Sequence, residues 1–533
     1  MLLRRIARVS LPALAAVLSL GWAGAGHAVT SSLVKVPTGF VDDSLLAGFN
    51  LPRAFAFLPD GRMLVIEHKT ARIRMVMNQS RFATTDPIFT VTGVNSTGYE
   101  RGTQGIAIDP GWPARPYVYV FYNGTDGFNH LVRYTASGQL SNSAAESITL
   151  GSARQIISDI PDVDANHQAG CIRFGPDGKL YVSLGEDEQW CLAQDSTSLR
   201  GQFLRLEVNN IPATAGSQPP RALIIPATGN PLSTPDSNAK LVWAYGFRNP
   251  WTFSIDPTNG RIYSADVGEQ DEEELDEVLP GRNYGWPYRE GLDTVLPRTT
   301  GTASQICPEP GGAGNPANGY TKPIVAYHRD TALHSMFSLG FYRAVPGGTA
   351  NWPAQYRGTT FWGDFYFGQI HLLTGGTGAW AESAPVPGQP GAYWGTGFRA
   401  MVDAAVGTDG SLYWLQNINT PALTGTVGVL HRIRYTGATV DVPVELPAAS
   451  RLACAPNPVR GAAELAFRMP QAAQAKISVF DVTGRRLATI FDGLAPAGET
   501  RVTWDAGTTA PGLYFAKLES GSRIDSERIL LLK

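Results

Sequence analysis

Short apolar runs joined by turns of proline, aspartate and glycine recur along most of the chain. One stretch, NHQAGCIRFGPDGKLYVSLGEDEQW, begins at Asn166, and its GPDG segment (175–178) separates two β-rich runs, which predicts a hairpin. Comparable stretches begin at Ala54, Gly105, Trp251, Gly358 and Asp403. The stretch from Gly358 lacks the turn signature, and no convincing long helical period separates any two of them. Six such units favour an all-β fold, a six-bladed β-propeller, over the competing array of β-sandwiches.

The turn sets the expected pairing of the two strands in the hairpin from Asn166. If residues 175–178 form the loop, Phe174 faces Lys179, and His167 lies opposite Glu186 at the open end. Directly opposed residues have Cβ atoms roughly 5 Å apart, so a hydrogen bond between imidazole and carboxylate is expected. Such a bond would fix the tautomer of the histidine and raise its basicity. A solvated strand end is the alternative.

The hairpin from Trp251 also carries polar residues at the end away from its turn. With residues 257–260 as the loop, Asn249 faces Gly268 and Arg248 faces Glu269. If all the turns lie on one rim of the propeller, the polar residues of both hairpins gather at the other. The central opening at that rim is the natural place for a ligand.

Composition narrows the class of protein. The chain has 533 residues, enough for two or three domains, and it is rich in glycine (58) and proline (38), as a turn-rich β protein is. Only 17% of the residues are charged and the net charge is −3, which argues against nucleic acid as a partner.

Residues 1–28 have the three parts of a secretory signal peptide. Two arginines precede an apolar stretch from Leu11 to about Leu20, and small residues lead to a cleavage site after Ala28. The apolar stretch is short for a membrane span, and no later segment resembles a transmembrane helix. We therefore predict export through the periplasm to the medium or the cell surface.

Export makes disulfides possible for the four cysteines. The hairpin register places Cys171 opposite Val182, far along the strand from Cys191, which argues against a bridge between these two cysteines. A bridge between Cys191 and Cys307 is preferred because both lie in predicted loops. Four reduced cysteines, Cys454 among them, are the alternative.

Five motifs resemble the glucose/sorbosone dehydrogenase family, secreted six-bladed propellers related to soluble quinoprotein glucose dehydrogenase. The resemblance covers roughly residues 35–436. It rests on ERGTQGIAIDP from Glu100, HQAGCIRFGPDGKLYVSLGE from His167, AQDSTSLRGQFLRL from Ala193, WAYGFRNPWTFSIDP from Trp243 and DVGEQDEEELDEVLPGRNYGWPYREG from Asp266. Catalytic members of the family use pyrroloquinoline quinone with calcium to oxidise sugars.

The resemblance implies catalytic roles for two residues. His167 corresponds to the general base, which takes the proton of a sugar hydroxyl as hydride passes to the quinone. Glu186 stands where the family usually has an aspartate that orients the base, and Glu100 falls where a polar residue lies beside the cofactor.

The resemblance also implies cofactor and calcium contacts. Arg248 and Asn249 match the pair that contacts the quinone oxygens, and Gly268 and Glu269 match positions whose backbone carbonyls help hold calcium. Calcium prefers oxygen ligands, and a cation beside the quinone would polarise the carbonyl that accepts hydride.

The chain departs from the family where the three carboxylates of the cofactor are bound. Tyr366 stands at the lysine position, and Ala400 and Val402 stand at the arginine positions, which leaves Arg399 as the nearby cation. A buried carboxylate without a cationic partner is costly. Two hypotheses follow: an oxidoreductase dependent on pyrroloquinoline quinone and calcium that oxidises a sugar or related alcohol, or a non-catalytic extracellular propeller that binds a glycan or protein.

Three further segments have structural interpretations. The acidic run 271–274 is expected in a solvated loop, with a contribution to calcium binding as the alternative. Residues 283–287 (NYGWP) are specific to the family and are expected to pack between blades. The aromatic residues of WGDFYFG, from Trp362, are expected to fill the core, although they could stack on a sugar ring.

The pattern changes after Tyr435. Residues 29–436 form the predicted propeller, 437–451 a linker by composition, and 452–533 alternating strands that fit a small Ig-like β-sandwich. This last segment resembles the C-terminal sorting domains of type IX secretion cargo and a module of flagellar hook-capping proteins. The resemblance implies secretion machinery as a partner, with a plain accessory module as the alternative.

Overall fold

The chain separates into two compact units, the first ending at Ala438 and the second beginning at Thr439. The computed structural model describes residues 29–30, 34–292, 294–295, 307, 319–330, 332–374, 380–382, 393–418, 425–437, 452–469, 473–482, 485–496, 498–507, 509–520 and 523–532. The predicted signal peptide and residues 438–451 of the predicted linker lie outside these ranges. Within them the structure has strands and four short 3-10 turns: Trp190–Gln194, Arg221–Leu223, Ala239–Leu241 and Ala354–Tyr356.

The first unit contains six antiparallel sheets of similar build, here called blades 1 to 6. Blade 1 comprises Pro52–Phe57, Met63–Glu67, Arg72–Met77 and Arg81–Phe82, with Phe89–Thr90 also paired to the third strand; blade 2 comprises Thr103–Ile108, Tyr117–Asn123, Phe128–Ser137 and Thr149–Pro161; blade 3 comprises Ile172–Phe174, Leu180–Leu184, Gln202–Leu206 and Val242–Tyr245. Blade 4 comprises Pro250–Ile255, Ile262–Asp266, Glu272–Glu277 and Val325–His328; blade 5 comprises Met336–Phe341, Thr360–Asp364, Ile370–Thr374 and Ala381–Glu382; blade 6 comprises Met401–Val406, Leu412–Gln416, Val427–Tyr435, Phe40–Asn50 and Val29–Thr30. A small hairpin joins Arg289–Glu290 to Thr294–Val295.

Blade 6 closes the propeller because it combines strands from both ends of the unit. Phe40–Asn50 pairs with Val427–Tyr435, from Phe40 opposite Tyr435 to Asn50 opposite Val427. Closure of this kind removes the exposed edges that a row of sheets would leave. The predicted six-bladed propeller is confirmed.

Five of the six sequence repeats are the first hairpin of a blade, as expected. The repeat from Gly358 differs, since it supplies the second and third strands of blade 5. The first strand, Met336–Phe341, is followed by a long connection rather than a tight turn. The turn of this repeat therefore lies at the opposite end of its sheet from the turns of the other five.

The expected register in blade 3 is wrong by one residue. Phe174 pairs with Leu180, not with Lys179, because the Gly175 amide donates to the Lys179 carbonyl at 3.0 Å and so includes Lys179 in the loop. Ser183, rather than Val182, then donates its amide to the Cys171 carbonyl.

Blade 4 differs from its expected pairing through a β-bulge. The pairing of Thr252 with Ala265 is followed by Pro250 with Asp266, so one extra residue stands in the first strand. As a result the Asn249 carbonyl accepts from the Val267 amide at 3.2 Å, and the expected pairing of Asn249 with Gly268 is shifted by one residue.

Polar side chains of the first strands meet around the propeller axis. Arg173 of blade 3 forms an ion pair with Asp403 of blade 6, which also accepts from the Phe55 amide at 2.9 Å. Arg53 of blade 1 donates to the Trp251 carbonyl at 3.0 Å and lies over the Trp251 ring at 4.0 Å. Apolar clusters between neighbouring blades form the rest of the core.

A disulfide joins Cys191 to Cys307, which confirms the preferred pairing. Cys191 belongs to the connection between the second and third strands of blade 3, and Cys307 to the long segment that follows the third strand of blade 4. Their sulfur atoms pack in a small aromatic cluster with Trp190 and Trp286.

The second unit is a strand-rich domain with one apolar core. Its strands are Ala453–Arg460, Ala462–Met469, Ala473–Asp481, Arg486–Ala495, Gly498–Asp505, Gly512–Ser520 and Arg523–Leu532. All neighbours are antiparallel except Ala453–Arg460, which runs parallel to Arg523–Leu532. Residues such as Phe467, Val479 and Trp504 fill the core.

Candidate active site

A buried histidine–glutamate pair lies at the end of blade 3 away from its turn. The Nδ1 atom of His167 is hydrogen-bonded to the Oε1 atom of Glu186, which confirms the contact expected from the sequence. Burial and the nearby Arg248 lower the pKa of His167 to about 4, so the higher basicity expected from the hydrogen bond is wrong. Burial raises the pKa of Glu186 well above its usual range. With an Nδ1 proton assigned to the Glu186 bond, the neutral imidazole keeps an Nε2 lone pair that can accept a proton.

The backbone around this pair is left-handed at four residues that are not glycine. Their φ angles are +57° at His167, +35° at Ala169, +62° at Asp187 and +55° at Glu188. Such conformations are uncommon for residues with a Cβ atom, and they cluster at functional sites. They also explain why regular pairing ends at Ile172, so the expected strand does not reach His167 although the side-chain contact does form.

Glu188 is a site residue that sequence reasoning missed. Its Oε1 atom lies 3.6 Å from Nε2 of His167, and its side chain is 26% exposed. The acidic pair after Glu186 was the available signal, but a continuous strand would have placed Glu188 on the same face as Glu186 and opposite residue 165, beyond the histidine.

Arg248 and Asn249 are fixed at the start of blade 4 by one buried carboxylate. Asp266 accepts the Arg248 amide at 2.9 Å and the Asn249 amide at 2.6 Å. The Arg248 guanidinium donates to the Val267 carbonyl at 2.8 Å and pairs with the Glu269 side chain. The expected register, in which Arg248 faces Glu269, is nevertheless wrong by one residue because of the bulge in blade 4. Burial raises the pKa of Asp266 to about 7.

Glu100 joins the segments that carry the other candidate residues. Its carboxylate accepts the Gln168 amide at 2.9 Å and the Asn249 side-chain amide at 3.2 Å. Asn249 in turn accepts the Ala169 amide at 3.2 Å. Glu100 and Asn249 therefore lie beside the backbone on both sides of Gln168, next to His167.

The loop after the second strand of blade 4 is arranged around Glu290. Its Oε1 atom accepts four successive backbone amides, from residues 269 to 272, at 2.7 to 3.2 Å. At Gly268 a Cβ atom would lie 1.8 Å from the Glu272 carbonyl oxygen, so only glycine fits this close approach. The Gly268 carbonyl accepts a hydrogen bond from the Arg329 guanidinium.

The acidic run 271–274 is not a solvated loop, and that expectation is wrong. The strand Glu272–Glu277 begins within it, and Glu273 and Glu274 are buried. Burial raises the pKa of Glu273 to about 8 despite the opposing charge of Arg329, which lies 2.9 Å away.

A cavity of about 470 Å³ opens between blades 4, 5 and 6 and is lined by Ala332, Leu333, Tyr366, Phe367 and Arg399. Tyr366 and Phe367 line it because the turn of the fifth repeat lies at this end of the sheet. Burial and the carboxylates of Asp364 and Glu100 raise the pKa of Tyr366.

The other family positions around this cavity carry no charge. Ala400 and Val402, which stand at the arginine positions of the family, are buried. Arg399 lies beside them and donates from Nε to the Tyr366 carbonyl at 2.5 Å. Trp362 of the same aromatic segment is buried and stacks on His371, so it fills the core as expected.

Two groups of side chains within the described residues could hold a cation. His167, Glu186 and Glu188 form one, and Asp266, Glu274 and Asp276 form the other, with ligand atoms within 4.8 Å of one another in each group. Burial raises the pKa values of Glu274 and Asp276 well above their usual range. Both carboxylate oxygens of Asp276 are buried without a hydrogen-bond partner among the described residues.

The fold and this polar opening together define a six-bladed propeller with a candidate ligand site at one rim. Residues 49–417 match the family described as Glucose / Sorbosone dehydrogenase, and the chain belongs to this family. Residues 454–532 match the Secretion system C-terminal sorting domain.

Two related proteins and one solved structure illustrate the similarity. The HIPL1 protein of Arabidopsis thaliana is 36% identical over 143 residues, which are 25% of this chain and 20% of that protein. Aldose sugar dehydrogenase YliI of Escherichia coli (strain K12) is 24% identical over 261 residues, 49% of this chain and 65% of that protein. This chain thus spans less than two thirds of the length of either relative. The PQQ-bound form of aldose sugar dehydrogenase from Streptomyces coelicolor superposes with a TM-score of 0.52 at 25% identity, covering 77% of this chain and 100% of that chain.

The sorting domain indicates a secreted or cell-surface protein. In the part of the chain that the structure describes, no helix has the length and apolar character needed to cross a membrane.

Proposed function

We propose that the protein is a quinone-dependent dehydrogenase that oxidises a hydroxyl group of a sugar or related alcohol, with His167 as the general base. The observation that carries the proposal is the buried pair of His167 and Glu186, next to Glu100 and Asn249. Membership of the family and the similarity to a PQQ-bound aldose sugar dehydrogenase support it.

Pyrroloquinoline quinone fits the charges around the opening. Three guanidinium groups can meet its carboxylates and oxygens, those of Arg248, Arg329 and Arg399. Tyr366 and Phe367 offer aromatic surface in the adjacent cavity. Arginine is well suited to planar carboxylates because its donors form a fixed fork. When bound, the quinone would accept the hydride from the sugar carbon that bears the hydroxyl.

The residues of the chain supply the proton chemistry. His167 takes the hydroxyl proton on Nε2, and Glu186 accepts the Nδ1 hydrogen bond and so holds the ring in one orientation. The low pKa of His167 keeps the imidazole neutral near pH 7, ready to accept that proton. The sugar is left with a new carbonyl group, and an external electron acceptor receives the two electrons.

Calcium does not fit the Gly268 carbonyl in this arrangement. The carbonyl of Gly268 already accepts from the Arg329 guanidinium, and that of Val267 accepts from Arg248. A divalent cation bound at Gly268 would lie against a positively charged group.

The test is reduction of a redox dye by the purified protein with pyrroloquinoline quinone and a panel of aldoses and polyols. Dye reduction that requires both the quinone and a sugar is the expected result. Failure of the quinone to bind at micromolar concentration would refute the enzymatic proposal.

A non-catalytic propeller that binds a glycan or protein is the second candidate. Tyr366, Ala400 and Val402 favour it, since uncharged residues stand where sugar-oxidising relatives are expected to hold cofactor carboxylates. Exposed apolar side chains of Leu333 and Phe367 beside the cavity are also suited to a binding surface. Retention of a glycan without any quinone binding would support this candidate.

The proposed route to the exterior uses both ends of the chain. Residues 1–28 would direct export to the periplasm as a cleaved signal peptide, and the sorting domain would engage secretion machinery.

A further inference from the structure

We propose that Arg329 is the resident cation of the opening, and that its guanidinium takes the place beside the Gly268 carbonyl that a calcium ion would need. The inference rests on the proposed function for the nature of the ligand, a planar acidic quinone. The exclusion of calcium from Gly268 follows from the contacts of Arg329 alone.

Arg329 is held in place from three sides. Its amide donates to the Asp271 carbonyl at 2.8 Å, and its guanidinium donates to the carbonyls of Gly268 and His334, the latter at 3.3 Å. The guanidinium also lies 2.9 Å from the Glu273 carboxylate. The segment that carries Arg329 is thus fixed to the same loop whose carbonyl it contacts.

The buried Glu273 carboxylate stabilises Arg329 in its position. The Glu273 side chain is fully buried, and its Oε2 atom accepts the Met336 amide at 2.8 Å. If Arg329 moved aside for a calcium ion, Glu273 would lose its cationic partner in the interior. Removing one partner of a buried ion pair is strongly destabilising.

The neighbouring carbonyl meets a second guanidinium. Arg248 donates to the Val267 carbonyl at 2.8 Å and pairs with the Glu269 side chain. Two successive carbonyls therefore already face arginine, and the Glu269 carboxylate is paired with Arg248. Calcium binds oxygen ligands at about 2.3–2.6 Å, so an ion on the Gly268 carbonyl would be within a few ångströms of the Arg329 charge.

The inferred role fits an anionic ligand. Arg329 and Arg248 present their charges at the successive carbonyls of Gly268 and Val267. An acidic quinone or another planar carboxylate would meet a fixed positive charge there without a metal ion.

The first test counts calcium ions on protein stripped with a chelator, by calorimetric titration with calcium chloride alone. Arg329→Gln should bind one calcium ion per chain more than the unaltered protein, because the Gly268 carbonyl is released. Equal stoichiometry in the two proteins would overturn the inference. The carboxylates of Asp266, Glu274 and Asp276 in blade 4 can bind calcium in both proteins. The difference between the two stoichiometries therefore tests the inference.

The matched control is Arg343→Gln. Arg343 also pairs with a fully buried carboxylate, that of Asp256, but belongs to the end of blade 5 that carries no candidate residue. Its calcium stoichiometry should equal that of the unaltered protein. If Arg329→Gln fails to fold by circular dichroism, Arg329→Lys provides the test, since it keeps the charge and should bind no additional calcium.

The second test needs no variant and titrates the stripped protein with pyrroloquinoline quinone, with and without millimolar calcium. The inference predicts the same dissociation constant in both conditions. Binding that tightens tenfold or more with calcium would overturn it. If no quinone binds in either condition, the proposed function fails. The calcium stoichiometry of Arg329→Gln then still tests whether Arg329 excludes calcium from the Gly268 carbonyl.

Discussion

His167 combines three properties that ordinary strand residues lack. It is almost fully buried, has a left-handed backbone and is hydrogen-bonded to a fully buried carboxylate, that of Glu186. Each is unfavourable for a surface strand end, and together they are typical of a side chain held for chemistry. The solvated-strand-end alternative is therefore wrong for this pair.

The pH dependence of turnover follows from the pKa of His167. Burial and Arg248 lower this pKa to about 4, so the imidazole is unprotonated and able to act as a base at any pH well above 4. The acid limb of kcat/KM for the sugar should therefore have its midpoint near pH 4, below the ordinary histidine value of about 6.5. The measurement is kcat/KM at saturating quinone from about pH 3.5 to about pH 8, a range that includes both the expected midpoint and the ordinary histidine pKa.

The control for this profile is incubation at each pH followed by assay at pH 7, which separates titration from unfolding. An acid limb centred at pH 6 or higher would contradict the proposed surroundings of His167.

The sequence predicts contacts between paired strands better than contacts from loops. The bonds of Glu186 and Glu269 followed from hairpin pairing, and they formed despite one-residue register errors, because long side chains span such a shift. Glu188 and Arg329 were missed. Glu188 depends on a left-handed turn, and Arg329 follows the outermost strand of blade 4, where no repeat pattern indicates its direction.

Blade 6 is the element on which closure of the propeller depends. Asp42, in the strand from the N-terminal part of the chain, accepts the Trp414 indole N–H at 2.8 Å and is hydrogen-bonded to His431 at 3.0 Å. All three side chains are buried. The strand is thus fixed to its partners by polar side chains as well as by backbone pairing.

Asp42→Ala should lower the free energy of unfolding by about 2 kcal/mol or more, because it leaves buried donors unpaired. The measurement is denaturant unfolding followed by tryptophan fluorescence. The control is Asp126→Ala, which removes an ion pair with His130 whose aspartate is 56% exposed and should cost about 1 kcal/mol or less. Equal losses in the two variants would show that the Asp42 contacts do not stabilise closure.

The sequence predicted strands less well where a blade lacks a short turn between its first two strands. Blade 5 places 18 residues, 342–359, between its first two strands, so its recognisable hairpin is the second one. The same displacement carries Tyr366 and Phe367 to the cavity, which core filling alone would not explain. The closing strand Phe40–Asn50 was also not predictable, since its partner is nearly 400 residues away.

At the scale of the whole molecule, the chain is two units with different tasks. The candidate site lies entirely in the first unit, and the second has its own core. The number of blades was predictable because each repeats a local hairpin signal. A sorting role for the second unit was available only from the resemblance of its sequence.

Deletion of residues 445–533 tests whether the C-terminal domain directs the protein out of the periplasm. The propeller should remain folded with an unchanged thermal midpoint, because the described residues of the second unit form an apolar core of their own. The truncated protein should accumulate in the periplasm, measured by fractionation and immunoblotting. A truncated protein that unfolds, or that reaches the medium in full amount, would contradict a role of the C-terminal domain in secretion.

The most direct measurement compares kcat of the unaltered protein and of His167→Asn with a sugar and saturating pyrroloquinoline quinone, together with the quinone dissociation constant of each. General base catalysis contributes about 10²–10⁴-fold. Loss of His167 should therefore lower kcat by that factor and leave quinone affinity unchanged, since other residues meet the cofactor. A variant that retains the full kcat would contradict the assignment of His167 as the base on which the proposed reaction depends.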